Sequence, residues 1–288
     1  MRYLPLAVFA GLSLLWGSEW LLTVSLPTQP RLHALAIEYG IAAACLLPWA
    51  IRRRFRQCRM RSAAGVVIAG IGILCIPQIL IFVASRTLSP TVSLLALALV
   101  PVFLAISGRL SISLAVCGFA GVVFLANRSL NISAIQLPWL PLPLAAAAVL
   151  AWSLIAAEKQ SEVMSLAEAL FLQCAAAASL LYIVSPLLEH ETITWSAIAA
   201  TGFILQAVLP VVCGYLLFYW LLGNRGAGPT SLLQWTQPLI VSGESAVLMQ
   251  PRLLWSDVAG AILIVTAITL AFSNRDIDGG VFFEITRS

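Results

Sequence analysis

Charge is what this sequence has least of: 10% of its 288 residues are Asp, Glu, Lys or Arg, against 61% hydrophobic residues and a mean hydropathy of +0.99. That is too little polar side chain to cover a water-soluble globule. Histidine is scarcer still, with His33 and His190 alone, each near the end of an apolar run and too isolated for a zinc site or a nucleophile's base. No H-E-x-x-H and no paired intramembrane acids on one motif are present, so an enzyme is not expected. The six cysteines, Cys45, Cys58, Cys75, Cys117, Cys174 and Cys213, stand singly. Their spacing fits no metal or redox motif, which leaves packed thiols and no expected metal or cofactor. The net charge of +4 is carried by short loops and gives no reason to expect a nucleic-acid partner.

What is plentiful is apolar sequence in long runs. A bilayer core about 30 Å thick needs roughly 20 apolar residues per helical span. Such runs occur at about 4–25, 33–51, 64–84, 91–107, 111–127, 138–157, 166–187, 197–222, 230–249 and 255–273, which makes ten. The expected fold class is therefore an all-α membrane protein with the lipid bilayer as its surroundings. The fourth and fifth runs are short and separated by SGRLS, so one long helix there is the competing reading.

With ten spans and the N-terminus inside, the cytoplasmic segments hold Arg2, Arg52, Arg53, Arg54, Arg56, Arg59, Arg61, Arg109, Lys159, Arg225, Arg275 and Arg287. Only Arg31, Arg86, Arg128 and Arg252 fall outside, a positive-inside bias that puts both termini in the cytoplasm. Half of the inside set lies in RRRFRQCRMR, residues 52–61, read as a topology anchor rather than a lipid-binding patch. The first run carries Glu19 and has no small-x-small cleavage site, so it reads as a retained span and not a signal peptide. Two glycosylation-type triplets begin at Asn127 and Asn131, both close to the membrane.

An internal repeat organises the runs. GNRGAGPTSLL at 223–233 has a twin in ASRTLSPTVSLL at 84–95, with Arg86 and Arg225 separated by 139 positions and Pro90 and Pro229 by the same 139. Trp16 and Trp152 differ by 136, and Arg109 and Arg252 by 143. A shift near 140 cuts ten spans into five and five, over residues 1–133 and 134–274, with 275–288 as a cytoplasmic tail. An odd number of spans per half inverts the second copy, and the charge count independently places Arg86 outside and Arg225 inside, Arg109 inside and Arg252 outside. Inverted repeats are the plan of secondary transporters, whose halves rock about a central site. The twin also argues against a Gly-rich phosphate loop at 223–229, because TLS replaces GAG in the other copy.

Trp16, Gly17 and Ser18 near the start, Pro101 with Arg109, Leu110 and Gly118, and Pro238 with Arg252, Leu253 and Gly260, together resemble the drug/metabolite transporter superfamily, in its EamA-type ten-helix exporters. The resemblance covers nearly the whole chain. It implies an inner-membrane exporter of a small metabolite, most plausibly an amino acid or a compound derived from one, in a bacterial cell membrane, acting as a monomer or homodimer. Efflux of drugs or other cationic compounds, or a non-transporting membrane protein that binds partners, are the alternatives. The chain departs from the family where a Glu usually precedes each Arg-Leu; Gly108 and Pro251 stand there instead.

A charged side chain near the bilayer centre costs about 2.5 to 3.5 kcal/mol on insertion scales, so each needs an explanation. Glu168, in the first turn of its span, is expected to complement the helix dipole. Glu38, five residues into span two, is close enough to reach the outer interface and reads equally as a substrate- or proton-binding candidate alongside Trp16, Gln78, Gln234 and Gln237. Glu19 lies between Trp16 and Trp20, and Glu244 about fifteen residues into span nine, where Gln234, Gln237 and Glu244 share one face. A desolvated carboxyl group can exchange protons near neutral pH, so Glu19 and Glu244 are the candidates for holding a substrate amine or a coupling proton. Tyr215 is expected in the cavity wall, while Trp220 and Trp235 are expected at the interface or against lipid. Pro77 with Gln78 in span three and Cys213 with Gly214 in span eight mark matching breaks, where the site is expected.

Overall fold

The computed structural model describes residues 3–19, 29–52, 60–127, 133–160, 164–249 and 254–273. Most of the basic loop at 52–61, both glycosylation triplets apart from their end residues, the Arg252 joint and the 275–288 tail lie outside these residues.

Among the described residues the chain is helical throughout and has no strand. The helices are α1 (Leu4–Gly17), α2 (Arg31–Arg52), α3 (Met60–Leu74), α4 (Ile76–Ala84), α5 (Pro90–Leu97), α6 (Val100–Ile106), α7 (Ile112–Ala126), α8 (Pro141–Gln160), α9 (Leu166–Leu188), α10 (Ala197–Gln206), α11 (Tyr215–Arg225), α12 (Ala227–Ser231), α13 (Leu233–Met249) and α14 (Trp255–Ser273). A π-helical segment, Ala207–Gly214, joins α10 to α11. Six helical stretches are long and apolar enough to cross a membrane: Arg31–Ile51, Ala63–Ala84, Leu137–Lys159, Leu166–Leu188, Ala197–Arg225 and Trp255–Ser273. Three more apolar stretches are shorter, Leu4–Gly17, Pro90–Ile106 and Ile112–Ala126. The SGRLS segment is a turn between α6 and α7, which excludes one long helix there.

Local chemistry explains the ends. Ser165 caps α9, accepting from the Glu168 N–H at 3.4 Å while its own N–H donates to Glu168 Oε2 at 3.2 Å. Glu168 thus completes a capping box, beyond the dipole role expected of it. Ser196 caps α10 through the Ala199 N–H at 3.1 Å. The start of α2 is capped from another helix: the N–H groups of Leu32 and His33 donate to the two carboxylate oxygens of Glu189, each at 3.0 Å. At the end of α6, Gly108 has φ +77° and its N–H donates to Ala105 O, while the Arg109 N–H donates to Leu104 O. This is a Schellman turn, and the left-handed residue it needs accounts for Gly at position 108.

Two membrane helices are broken mid-course. Pro77 has no N–H to give to Ile73, and α3 gives way to α4 at Cys75, whose φ and ψ are −110° and −60°. In the other half, Pro210 sits inside the widened π turn. Each break is served by a donor from another helix, as burial of a freed carbonyl requires: Tyr39 Oη donates to Leu74 O at 3.4 Å, and Trp16 Nε1 donates to Pro210 O at 3.0 Å.

The core is one apolar cluster that runs through both halves of the sequence. Its most extensive contacts are α2 against α9 and α7 against α14. Helix α1 packs on α13, α11 and the π segment, and α8 packs on α3, α4, α5 and α6. Small residues let backbones approach: a Cβ on Gly121 would lie 2.8 Å from Gly260 O, and one on Gly260 would lie 2.6 Å from Gly121 O.

Candidate functional site

The ring of Trp16 stacks on Tyr215 and Phe218, with centroids 5.1 and 5.4 Å away, and its Nε1 reaches the Pro210 carbonyl. That position exists because Gly214 has no side chain; a Cβ there would be 2.5 Å from Trp16 Nε1. Tyr219 continues the aromatic wall, 6.3 Å from Tyr215 and 5.3 Å from Phe218. Trp16 and Tyr215 were both expected here, and the structure brings them together across the two halves of the chain.

Polar groups converge on the same wall from α1 and α2. Glu19, one turn past the end of α1, interacts electrostatically with Arg31, and Glu38 interacts with both Glu19 and Arg31. Arg31, at the first turn of α2, also donates to Gln78 Oε1 at 3.4 Å. Glu38, for which the outer interface and a place in the site were equal readings, is 4% exposed. Seven residues into α2, it faces the bundle instead of the solvent, because its stretch of α2 packs on α9 and on the π segment. Behind it, Tyr39 lies within side-chain hydrogen-bonding reach of Tyr215.

Three residues that the sequence reading passed over therefore join the site: Arg31, Tyr39 and Gln173. Gln173 is buried on α9, donates to Val66 O at 3.3 Å and faces Tyr219. An available signal was position, since Tyr39 follows Glu38 and Gln173 is the one amide in an Ala-rich run from 167 to 178.

The α13 stripe is placed differently. Gln234, Gln237 and Glu244 are half-buried on a helix that packs on α1, with Ile240 filling the space beside Gly17. Trp235, expected against lipid or at the interface, is instead 0% exposed. Its Nε1 donates to Ala98 O at 2.9 Å, the carbonyl at the kink between α5 and α6, and its ring occupies the space over Gly118, where a Cβ would meet it at 2.0 Å. A kinked helix with a spare carbonyl is a better partner for an indole than lipid is. Trp220 is half-buried against the core.

His33 and His190 are closer than their isolation in sequence suggested. Both line an open cavity of about 530 Å³ with Pro186, Glu189, Glu191 and Trp195. Among the described residues no group of three or more His, Cys, Asp or Glu side chains is arranged to hold a metal ion.

A helical, multi-pass membrane protein with buried polar side chains gathered between two helix breaks is the form of a small-molecule transporter. Residues 137–273 match the EamA-like transporter family, so the second half of the chain is an EamA-like transporter domain, consistent with the drug/metabolite transporter superfamily. One solved crystal structure superposes with a TM-score of 0.77 at 18% identity, covering 94% of this chain and 98% of its own. At that identity the likeness is one of fold alone, and it spans both halves of the chain. No curated protein matches the sequence.

Proposed function

We propose that the chain is a secondary transporter exporting a small amine-bearing metabolite, an amino acid or a compound derived from one, by alternating access with protons as the coupling ion. In this reading ten crossings form two inverted halves, 1–133 and 134–274, in a bacterial inner membrane with both termini in the cytoplasm. The observation that carries it is the pairing of helices. Shifting every crossing by five turns α1 on α13 into α8 on α5 and α6, and α1 on α11 into α8 on α3 and α4; α2 on α9 and α7 on α14 map onto themselves. The Gly121 to Gly260 contact is reciprocal under the same shift, 139 positions apart. Self-mapping pairs are what a two-fold axis between halves requires, and that symmetry supports exchange of a site between two sides.

The site supports an amine rather than a pure anion. Glu19 and Glu38 offer carboxylates, Arg31 offers a counter-charge for a carboxyl group, and Trp16 with Tyr215 offers ring faces for a cation. Glu244 on α13 stands as the second proton candidate. The aromatic wall also favours a second reading, efflux of bulkier cationic compounds.

Metabolites in the medium of cells with and without overexpressed protein test the proposal. Accumulation of one or a few amine-bearing compounds supports it, resistance to hydrophobic cations without such accumulation supports the second reading, and an unchanged medium overturns both. Proton coupling is overturned if Glu19→Gln, Glu38→Gln and Glu244→Gln all transport normally with unchanged pH dependence.

A further inference from the structure

The two copies of the repeated joint are in different states. In 226–233, Ala227, Gly228, Pro229, Thr230, Ser231 and Leu232 are all buried, so the segment folds inward and plugs one end of the bundle. In the equivalent segment, 87–93, Leu88, Val92 and Ser93 are buried, but Pro90 is exposed and Thr87, Ser89 and Thr91 are only half-buried, so this copy is less enclosed. The buried copy is held by a definite set of contacts. Glu158, near the end of α8, forms an ion pair with Arg109 at 2.7 Å and accepts from the Ala227 N–H at 3.4 Å. Gly226, at φ +77°, brings that N–H to the carboxylate, and a Cβ on it would lie 3.2 Å from Glu158 Oε1. Gly228 packs directly on the Arg109 carbonyl, where a Cβ would be 1.9 Å away. Gly226 and Gly228 are therefore required here, although TLS stands in place of GAG in the twin.

We propose that residues 226–232 are the gate at the cytoplasmic end, that the Glu158–Arg109 pair is its latch, and that 86–91 becomes the matching plug when the latch opens. This rests on the inverted-repeat reading. One carboxylate ties three connections, after α6, α8 and α11, so loss of its charge loosens all three at once. Arg252, the counterpart of Arg109 at the opposite joint, lies outside the described residues; Arg86 there donates to Leu188 O at the end of α9 and lies over the Phe82 ring, as its counterpart Arg225 donates to Phe272 O and lies over the Phe272 ring.

The test reads accessibility and needs no substrate. Thr230→Cys and Thr91→Cys, equivalent under the 139-residue shift, are labelled with a membrane-impermeant maleimide from either side of oriented vesicles holding the full chain. With Glu158 intact, Cys at 91 reacts faster than Cys at 230. Glu158→Gln is expected to speed labelling at 230 about tenfold and to slow it at 91, the reciprocal change that exchange of plugs demands. Reversing the pair, Arg109→Glu with Glu158→Arg, restores protection at 230. Faster labelling at both sites means general loosening and overturns the proposal, as does no change at either. Because vesicles without substrate suffice, a gate that responds in this way in a chain that exports nothing would leave the proposed function, and not the gate, at fault.

Discussion

The two halves of the chain share a plan and divide the chemistry. Trp16 and Trp152 are partners in the repeat, yet Trp16 donates to the Pro210 carbonyl and stacks on Tyr215 while Trp152 is 78% exposed on the outside of the bundle. The first half brings the charges, Glu19, Arg31 and Glu38, whose positions in the second half fall among apolar residues such as Ile155 and Ala176. The second half brings the ring wall, Tyr215, Phe218 and Tyr219, whose counterparts near 76–80 are aliphatic. In the proposed inverted-repeat reading, symmetry of backbone and asymmetry of side chain serve different ends: the first lets the halves exchange positions, and the second makes one site rather than two. The lesson is that a repeat should be read for where its copies disagree.

Several substitutions sharpen this contrast. The largest effect is expected at Glu38: Glu38→Gln should lower efflux about a hundredfold, equivalent to roughly 2.7 kcal/mol, while Ala176→Ser at the matching place in α9 should leave it within about twofold. Initial efflux rates from loaded vesicles decide it, and equal losses would erase the division of labour. Next comes Trp235, the anchor common to both halves. Trp235→Ala should cost about 3 to 5 kcal/mol of stability, and Trp235→Phe about 1 kcal/mol through the lost bond to Ala98, read by thermal unfolding in detergent.

Gly121→Leu should also destabilise, by about 1 to 3 kcal/mol, because its side chain would push Gly260 away. Gly11→Ala, which meets nothing within 4 Å, should be neutral or slightly stabilising in the same assay. Trp16→Phe should slow transport about tenfold whereas Trp152→Phe changes nothing beyond about 0.5 kcal/mol in stability; similar outcomes for the two would make the aromatic site a packing feature. The smallest effect is at the α9 cap, where Ser165→Ala should cost about 1 kcal/mol and leave transport specificity unaltered.

Much of this architecture was legible because a bilayer imposes one rule on all spans, and the apolar runs mark them directly. The break at Pro77 was legible, since it cannot donate to Ile73, and the break marked at Cys213 and Gly214 falls within the π segment that Pro210 begins to widen, although Pro48, Pro186 and Pro238 sit inside continuous helices. Side-chain destinations were not. Glu38 reads as interfacial by its distance from the start of α2, but whether it faces solvent or the bundle depends on α9 lying against it, a contact some 140 residues away in sequence. Trp235 reads as a belt residue by type, and becomes the most buried large ring because Ala98 offers a carbonyl at a kink that only the folded chain reveals. The need for Gly226 and Gly228 was hidden for the same reason: it arises from the Glu158 carboxylate and the Arg109 carbonyl, which only the folded chain brings beside them.

The Gly121–Gly260 contact has a mechanical consequence. With no side chain between them, two backbones touch at a point where neither can slide past the other without a collision, so relative motion of the halves there is confined to rolling. A roll of a few degrees at such a bearing displaces atoms beside it hardly at all and those at the far ends of the helices by several ångströms. In the proposed alternating-access cycle, that is the difference in travel that closes one mouth of the bundle while its core stays packed.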